Sequence, residues 1–407
     1  MTIPPHIVLD VSRTVSRIGA GGDSGVDRVE RAYIRELLRR GGAYFLTRVL
    51  GGLALLDARG MEYLLGLAAD PATVPAPDLL STLARRQSPA RRRAETAVRR
   101  AATVWARHGG AAQMLRERLP GGFCYLNVGH ANLDPARLAR LREGGAARMA
   151  IMIHDVIPLD YPEFSRPEAP ARFEALLRAA AGAADLLIFN SADTRRRALR
   201  WLDDWRIETR HVTALLGVDP LPDPPDRAPS GPPAFVVLGT IEPRKNHLLL
   251  LNIWRQFAEE LPPGNIPQLH IVGRRGWENE NIVDILDRAP FMGRHVFERG
   301  FLPDGDLRDL LTGARALLFP SFAEGFGFPL AEACQLGVPA ICSDLPVYRE
   351  FIDTGPIYLD PLDGPGWKNA IITLSKRAKH DKTTQRQLPA WRDHFEAVFN
   401  RFPLESG

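Results

Sequence analysis

From residue 234 onward, short apolar runs alternate with longer stretches whose apolar residues recur at helical spacing. The runs 234–238, 269–272, 316–319, 340–343 and 357–359 have the length and composition of buried strands, and 296–300, which contains Glu298 and Arg299, reads as a further strand of the series. This alternation predicts a parallel, doubly wound α/β sheet, because parallel strands need a crossover and a helix supplies it. The first half repeats the theme less regularly. Residues 7–11, 43–50, 122–128 and 185–190 read as strands, and 149–153 as a strand ending at His154-Asp155. Val26, Val29, Tyr33, Ile34, Leu37 and Leu38 share one helical face that Gly41-Gly42 closes. Residues 55–120 give no clear period. Near the C-terminus Trp391, Phe395, Val398 and Phe399 again mark a helix.

The two halves are separated by seven prolines within residues 219–233, a segment that cannot be helix or central strand. The predicted layout is an α/β domain over 1–218, a stiff linker over 219–233, a second α/β domain over 234–388 and a terminal helix over 389–407. A length of 407 residues suits two such cores. No run reaches the ~20 apolar residues of a membrane span. The N-terminus runs straight into a strand, which predicts no signal peptide. Three cysteines without metal spacing are too few for a disulfide framework, which points to a reducing cytosol.

Candidate chemistry centres on residues 319–344, which read as strand, loop, helix, strand. Glycines flank Phe326 in the loop, and Pro329 fits the first helical position. The free N–H groups and positive dipole end of that helix suit an anion, most simply a phosphate. Glu324 and Glu332 do not suit phosphate itself, but they suit hydroxyl groups beside it. A nucleotide sugar carries hydroxyls on both sides of its diphosphate. Arg244 and Lys245, in the loop after the strand 234–238, are cations fit to stabilise a departing diphosphate without a metal; surface charge is the other reading. Gly25 ends a glycine-rich loop that enters a helix. Serine at position 24 breaks the dinucleotide pattern, so Gly25 marks either an anion site or a plain strand-to-helix turn. His154 stands at the carboxyl end of a strand, where α/β sheets place ligand-facing residues, though a lone histidine is often structural. Asp304-Gly305-Asp306 resembles a metal motif, but its place before a helix predicts that an aspartate there is an N-cap instead. No nucleophile–base set follows from spacing.

Glu324 to Glu332, together with residues 234–246, resembles the retaining glycosyltransferases of family 4. The resemblance covers residues 185–400 well and the first half more loosely. It implies the GT-B fold: two doubly wound Rossmann-like domains facing a central cleft, with the C-terminal helix crossing back to the first. It places Glu324 on the transferred sugar, Glu332 on the ribose and His154 near the sugar. It lines the donor site with Gly25, Gly239, Thr240, Gly273, Arg274, Gly327, Phe328 and Leu330. The nucleotide base falls near Phe301 and Leu302, and Asp155 lies on the acceptor side. Thr240 stands where the family usually has an arginine, a role that Arg244 can take. No enzyme nucleophile, metal or other cofactor is implied. The loop 239–246 is most similar to mannosyltransferases that use GDP-mannose in polysaccharide assembly. A UDP-sugar enzyme of the same fold is the alternative, and a silent nucleotide-sugar-binding or scaffold protein is a reading from another class. The implied partners are the nucleotide sugar and a saccharide or lipid-linked saccharide at the cytoplasmic face of the cell membrane.

Charge is unevenly spread. Between Arg85 and Arg118 stand ten arginines against Glu95 and Glu117, interleaved with Val98, Val104, Trp105, Met114, Leu115 and Leu119. Part of this run can form an amphipathic basic helix lying on an anionic membrane surface, with a solvated face or a nucleic-acid patch as the alternative; no nucleic-acid partner is expected.

Overall fold

The computed structural model describes residues 6–18, 24–84, 86–222, 231–376 and 388–402. Gly19, Gly21, Gly22, Arg85 and positions 223–230 of the proline-rich linker lie outside the described residues.

Two sheets organise the chain. The first has eight strands: β1 (Ile7–Asp10), β2 (Tyr44–Val49), β3 (Gly52–Leu56), β4 (Val104–Arg107), β5 (Phe123–Asn127), β6 (Ala146–Ile153), β7 (Leu186–Phe189) and β8 (His211–Thr213), in the order β4-β3-β2-β1-β5-β6-β7-β8. The second has six: β9 (Ala234–Leu238), β10 (Gln268–Val272), β11 (Val296–Gly300), β12 (Ala316–Phe319), β13 (Ala340–Ser343) and β14 (Ile357–Leu359), in the order β11-β10-β9-β12-β13-β14. The second sheet is parallel throughout. Successive residues pack to opposite faces, as Phe235 and Val236 do. Each sheet reverses its direction of winding once, between β1 and β5 and between β9 and β12. At such a switch point the loops leaving the carboxyl ends of the strands part and leave a crevice for ligands.

Several expectations are corrected. The first sheet is not parallel throughout: β3 runs antiparallel to β2, because Leu50-Gly51 is too short for a crossover and Gly51 takes a positive φ, and β4 adds antiparallel to β3. The loop expected over 12–24 begins with a helix, Ser12–Arg17. Asp304 is not an N-cap; the helix Asp304–Gly313 is preceded by Pro303, and both acids of the motif sit exposed in its first turn. The arginine-rich run is divided among three elements, the first of which is a basic amphipathic helix. It forms the helix Pro89–Ala101, then β4, then the helix Ala111–Arg118. Val98, Met114, Leu115 and Leu119 are buried, and of the apolar residues expected outside only Trp105 is exposed.

The helix Gly25–Arg40 begins at Ser24, whose hydroxyl accepts from the Asp27 N–H while the Asp27 carboxylate accepts from the Ser24 N–H. It buries Val29, Tyr33, Ile34 and Leu37, each worth about 1.5–3 kcal/mol when removed from water. The helix Trp391–Phe399 closes the same core. Tyr33 Oη lies 2.8 Å from His394 Nε2, and Phe395, Val398, Phe399 and Phe402 pack with the first sheet's residues. The C-terminal helix therefore crosses back to the first lobe.

Candidate active site between the two sheets

The loops after β9 and β12 converge at the second sheet's switch point. Phe322 N–H donates to the Arg244 carbonyl, which fixes one loop on the other. The Glu324 carboxylate lies between two cations: Arg244 Nη1 at 2.9 Å from Oε2 and Lys245 Nζ at 2.5 Å from Oε1. Arg244 also donates to Glu242 and to the Ala323 carbonyl, and Lys245 Nζ stands 4.9 Å from the centre of the Phe319 ring. Burial pushes the Glu324 carboxyl up, but Arg244 and Lys245 more than reverse this and hold it at about 2. Burial pulls Lys245 below the ordinary lysine range, and Glu324 opposes it. The cluster is a pair of cations fixed in a largely dry site with one ionised carboxylate between them.

The first sheet supplies the opposite wall. A Cβ on Gly325 would stand 2.6 Å from the His154 carbonyl oxygen and 3.3 Å from Asp155 Oδ2, so only glycine allows the two loops to approach this closely. Arg28, on the helix Gly25–Arg40, pairs with Glu332 on the helix Phe328–Gln335. The Glu332 carboxyl is raised by burial, and Arg28 opposes that. Gly25 abuts the Phe328 ring, to which its added Cβ would approach within 3.2 Å. Further out, the Glu350 carboxylate accepts from the N–H groups of Ala192 and Asp193, which open the helix Ala192–Asp204. Phe164 stacks on Phe322, their centroids 5.0 Å apart.

His154 Nε2 donates to the Val128 carbonyl at 2.7 Å, which leaves Nδ1 as the acceptor of a neutral ring. Burial, with His130 beside it, pulls this imidazole down to about 3. Asp155 accepts from the Ile157 N–H, and burial raises its carboxyl although Arg244 opposes the shift. Beneath them lies a buried acidic pair. Asp10 accepts from Tyr125 Oη and Asn132 Nδ2. Glu30 Oε1 accepts from the Thr14 N–H, while Oε2 has no partner. Burial pushes Glu30 up to about 8; the Thr14 bonds oppose this, Asp10 adds to it, and Arg13 opposes it. Between the ordinary 4.5 and about 8 the folded chain therefore holds a proton that the unfolded chain has released. Stability from this group is full below that window and falls as pH rises through it, by at most about 1.4 kcal/mol per pH unit. Glu30→Gln is expected to flatten that slope in melting curves taken from pH 5 to 8.5; an unchanged slope would remove Glu30 as its source.

The other expected residues sort by position. Gly239, Thr240, Gly273 and Arg274 lie on adjoining loops after β9 and β10, with Ile241 N–H on the Arg274 carbonyl. A Cβ on Gly273 would fall 1.9 Å from Gly239 O. Arg274 sits 5.6 Å from the centre of the Phe301 ring, and Phe301 is 53% exposed at the end of β11 beside the half-buried Leu302. Gly327 caps the helix at φ +109°. Leu330 differs from the expectation: its side chain is fully buried in the second lobe's core, so it presents no side chain to the cleft. Arg28, Glu30, Glu242 and Glu350 are placed here by the fold alone. Arg28 follows Gly25 by three residues on a helix entering from a glycine-rich loop, and that spacing was the available signal.

Residues 223–385 match the family of Glycosyl transferases group 1. That match lies in the second lobe, and the two-sheet architecture is that of the GT-B fold. It is 28% identical over 284 residues to the serotype-specific mannosyltransferase WbdA of Escherichia coli, covering 65% of this chain and 34% of the relative. It is 36% identical over 126 residues to O-antigen chain mannosyltransferase B of Escherichia coli, covering 31% and 32%. The chain spans about a third of the length of these curated relatives. Among solved structures, sucrose-phosphate synthase from Thermosynechococcus elongatus superposes with a TM-score of 0.63 at 16% identity, covering 98% of both chains. Anabaena HepE, solved with UDP and glucose, does so at 0.59 and 14%, covering 96% of this chain and 95% of that one.

Proposed function

We propose that this chain is a retaining, family-4 glycosyltransferase that moves a sugar from a nucleoside diphosphate to an acceptor hydroxyl in polysaccharide assembly. The observation that carries the reading is the Arg244–Glu324–Lys245 cluster at the switch point, faced across the cleft by His154 and Asp155. As the glycosidic bond to the leaving diphosphate breaks, negative charge grows on the phosphate oxygens, and two cations already in place stabilise it. Glu324 accepts from hydroxyls of the sugar, and Glu332 from the ribose. A small cavity between the lobes, lined by Asp155, Tyr161, Thr194, Phe322 and Glu324, gives the acceptor hydroxyl a polar entry beside the donor. The leaving phosphate takes the acceptor's proton in a front-side displacement, so the protein supplies no nucleophile.

The names of the relatives support mannose, and hence GDP-mannose, as the donor. A lipid-linked saccharide on the cytoplasmic face of the membrane is the proposed acceptor. No helix among the described residues is long and apolar enough to cross a bilayer. A panel of GDP- and UDP-sugars tests the donor: GDP-mannose should be turned over fastest, at a rate that EDTA leaves unchanged. Preference for a UDP-sugar would overturn the donor assignment. Loss of activity in EDTA, restored by Mg²⁺ or Mn²⁺, would overturn the role given to the two cations. Binding without turnover of any donor would make the chain a silent nucleotide-sugar binder.

A further inference from the structure

The short helix Leu79–Leu83 is built inside out. Its polar side faces the protein: Ser81 is fully buried, its Oγ bonded to Thr96 and Arg99, and the Asp78 carboxylate before it is paired with Arg99. Its apolar side faces water. Leu79, Leu80 and Leu83 are 86%, 50% and 76% exposed, and three of the nine large exposed hydrophobics among the described residues thus fall within five positions. Single exposed leucines are ordinary, but a cluster held outward by a satisfied polar underside is not the product of a missing core. The exposed charges described between residues 78 and 100 are arginines. Arg86 and Arg100 are exposed, and Arg92 and Arg93 half-buried, on the adjoining segment and helix Pro89–Ala101. The acids of that region are engaged already, Asp78 with Arg99 and Glu95 with Arg91.

We propose that this surface seats the first lobe on an anionic bilayer, with Leu79, Leu80 and Leu83 entering the headgroup boundary and Arg86 and Arg100 on lipid phosphates. Apolar insertion and arginine–phosphate contact then act together, and neither needs a long amphipathic helix. The arginines alone would suit any polyanion. The leucines between them select a surface with an apolar layer beneath its phosphates. The inference rests on the proposed membrane-side acceptor, for which the surface would bring the first lobe within reach.

The test is co-sedimentation of the full chain with vesicles of phosphatidylcholine alone or with a third phosphatidylglycerol. Wild type should pellet with the anionic vesicles only. L79S/L83S, changed where the side chains are mostly exposed, should keep its melting temperature and lose about ten-fold in partition even at low salt. R86Q/R100Q should lose the salt-sensitive part. Equal partition of L79S/L83S and wild type would overturn the proposal, as would no binding to anionic vesicles. A concentration-dependent dimer in gel filtration that L79S/L83S abolishes would assign the leucines to a second copy and overturn it too. Donor turnover measured without vesicles reports on the transferase reading alone, so a chain that binds vesicles but consumes no donor upholds this surface while overturning that reading.

Discussion

Lys245→Ala is expected to lower kcat by about 10²–10³-fold, the scale of losing one preorganised donor to a developing anion. The lysine is buried, with its side chain 11% exposed, so water cannot replace its charge. Glu324→Gln should act on the same step from the other side. Glu324 is ionised down to about pH 2 and balances both Arg244 and Lys245. A neutral amide in its place leaves burial of the lysine less opposed, so Lys245 should titrate lower still and activity should decline at high pH earlier than in wild type. Arg244→Lys should not preserve function, because the guanidinium reaches Glu242, Ala323 and Glu324 at once and an ammonium cannot. Steady-state kinetics with the preferred donor decide this. Near-wild-type kcat for Lys245→Ala would remove the cations from the chemistry.

Arg28→Ala should raise the donor KM by about ten-fold or more with kcat little changed, since losing a charge-assisted hydrogen bond costs about 1.5–3 kcal/mol. Arg28 is what opposes the upward push of burial on Glu332. Without it the carboxyl protonates at a higher pH and a neutral acid meets the ribose hydroxyls. The defect should therefore grow as pH falls. Arg28→Lys should recover part of the loss, and Glu332→Ala should show a similar KM without the pH dependence. A wild-type KM for Arg28→Ala at every pH would show that the pair only joins the lobes.

What could be read from the sequence followed locality. The central strands of the second sheet, β9, β10, β12 and β13, are buried almost throughout and so appear as continuous apolar runs. The Glu324–Glu332 spacing and the Arg244-Lys245 pair lie within single loops or helices. The missed features depend on distant partners. Arg28 meets a residue 304 positions away, and Glu350 reaches 158 positions back to Ala192. In the first lobe, β4 is short and its residues alternate between half-buried and exposed, which resembles loop. The helix Pro89–Ala101 conceals its packing face because Ala94, Ala97 and Val98 are small and few. Its arginines suggested a solvated face, yet Arg93 and Arg99 bond back to Val74, Asp78 and Ser81. An inward-turned arginine and a solvent-facing one have the same sequence signature.

The packing of Trp391–Phe399 against Tyr33 and the first sheet also sets an order of events during synthesis. Phe395, Val398, Phe399 and Phe402 complete an apolar layer whose members in the first lobe precede them by the whole second sheet. Until they leave the ribosome, the first lobe presents that layer uncovered while the second lobe, complete in its own sequence, is able to collapse. Nascent chains of this protein should therefore carry a first lobe open to chaperones or to aggregation throughout synthesis of the second.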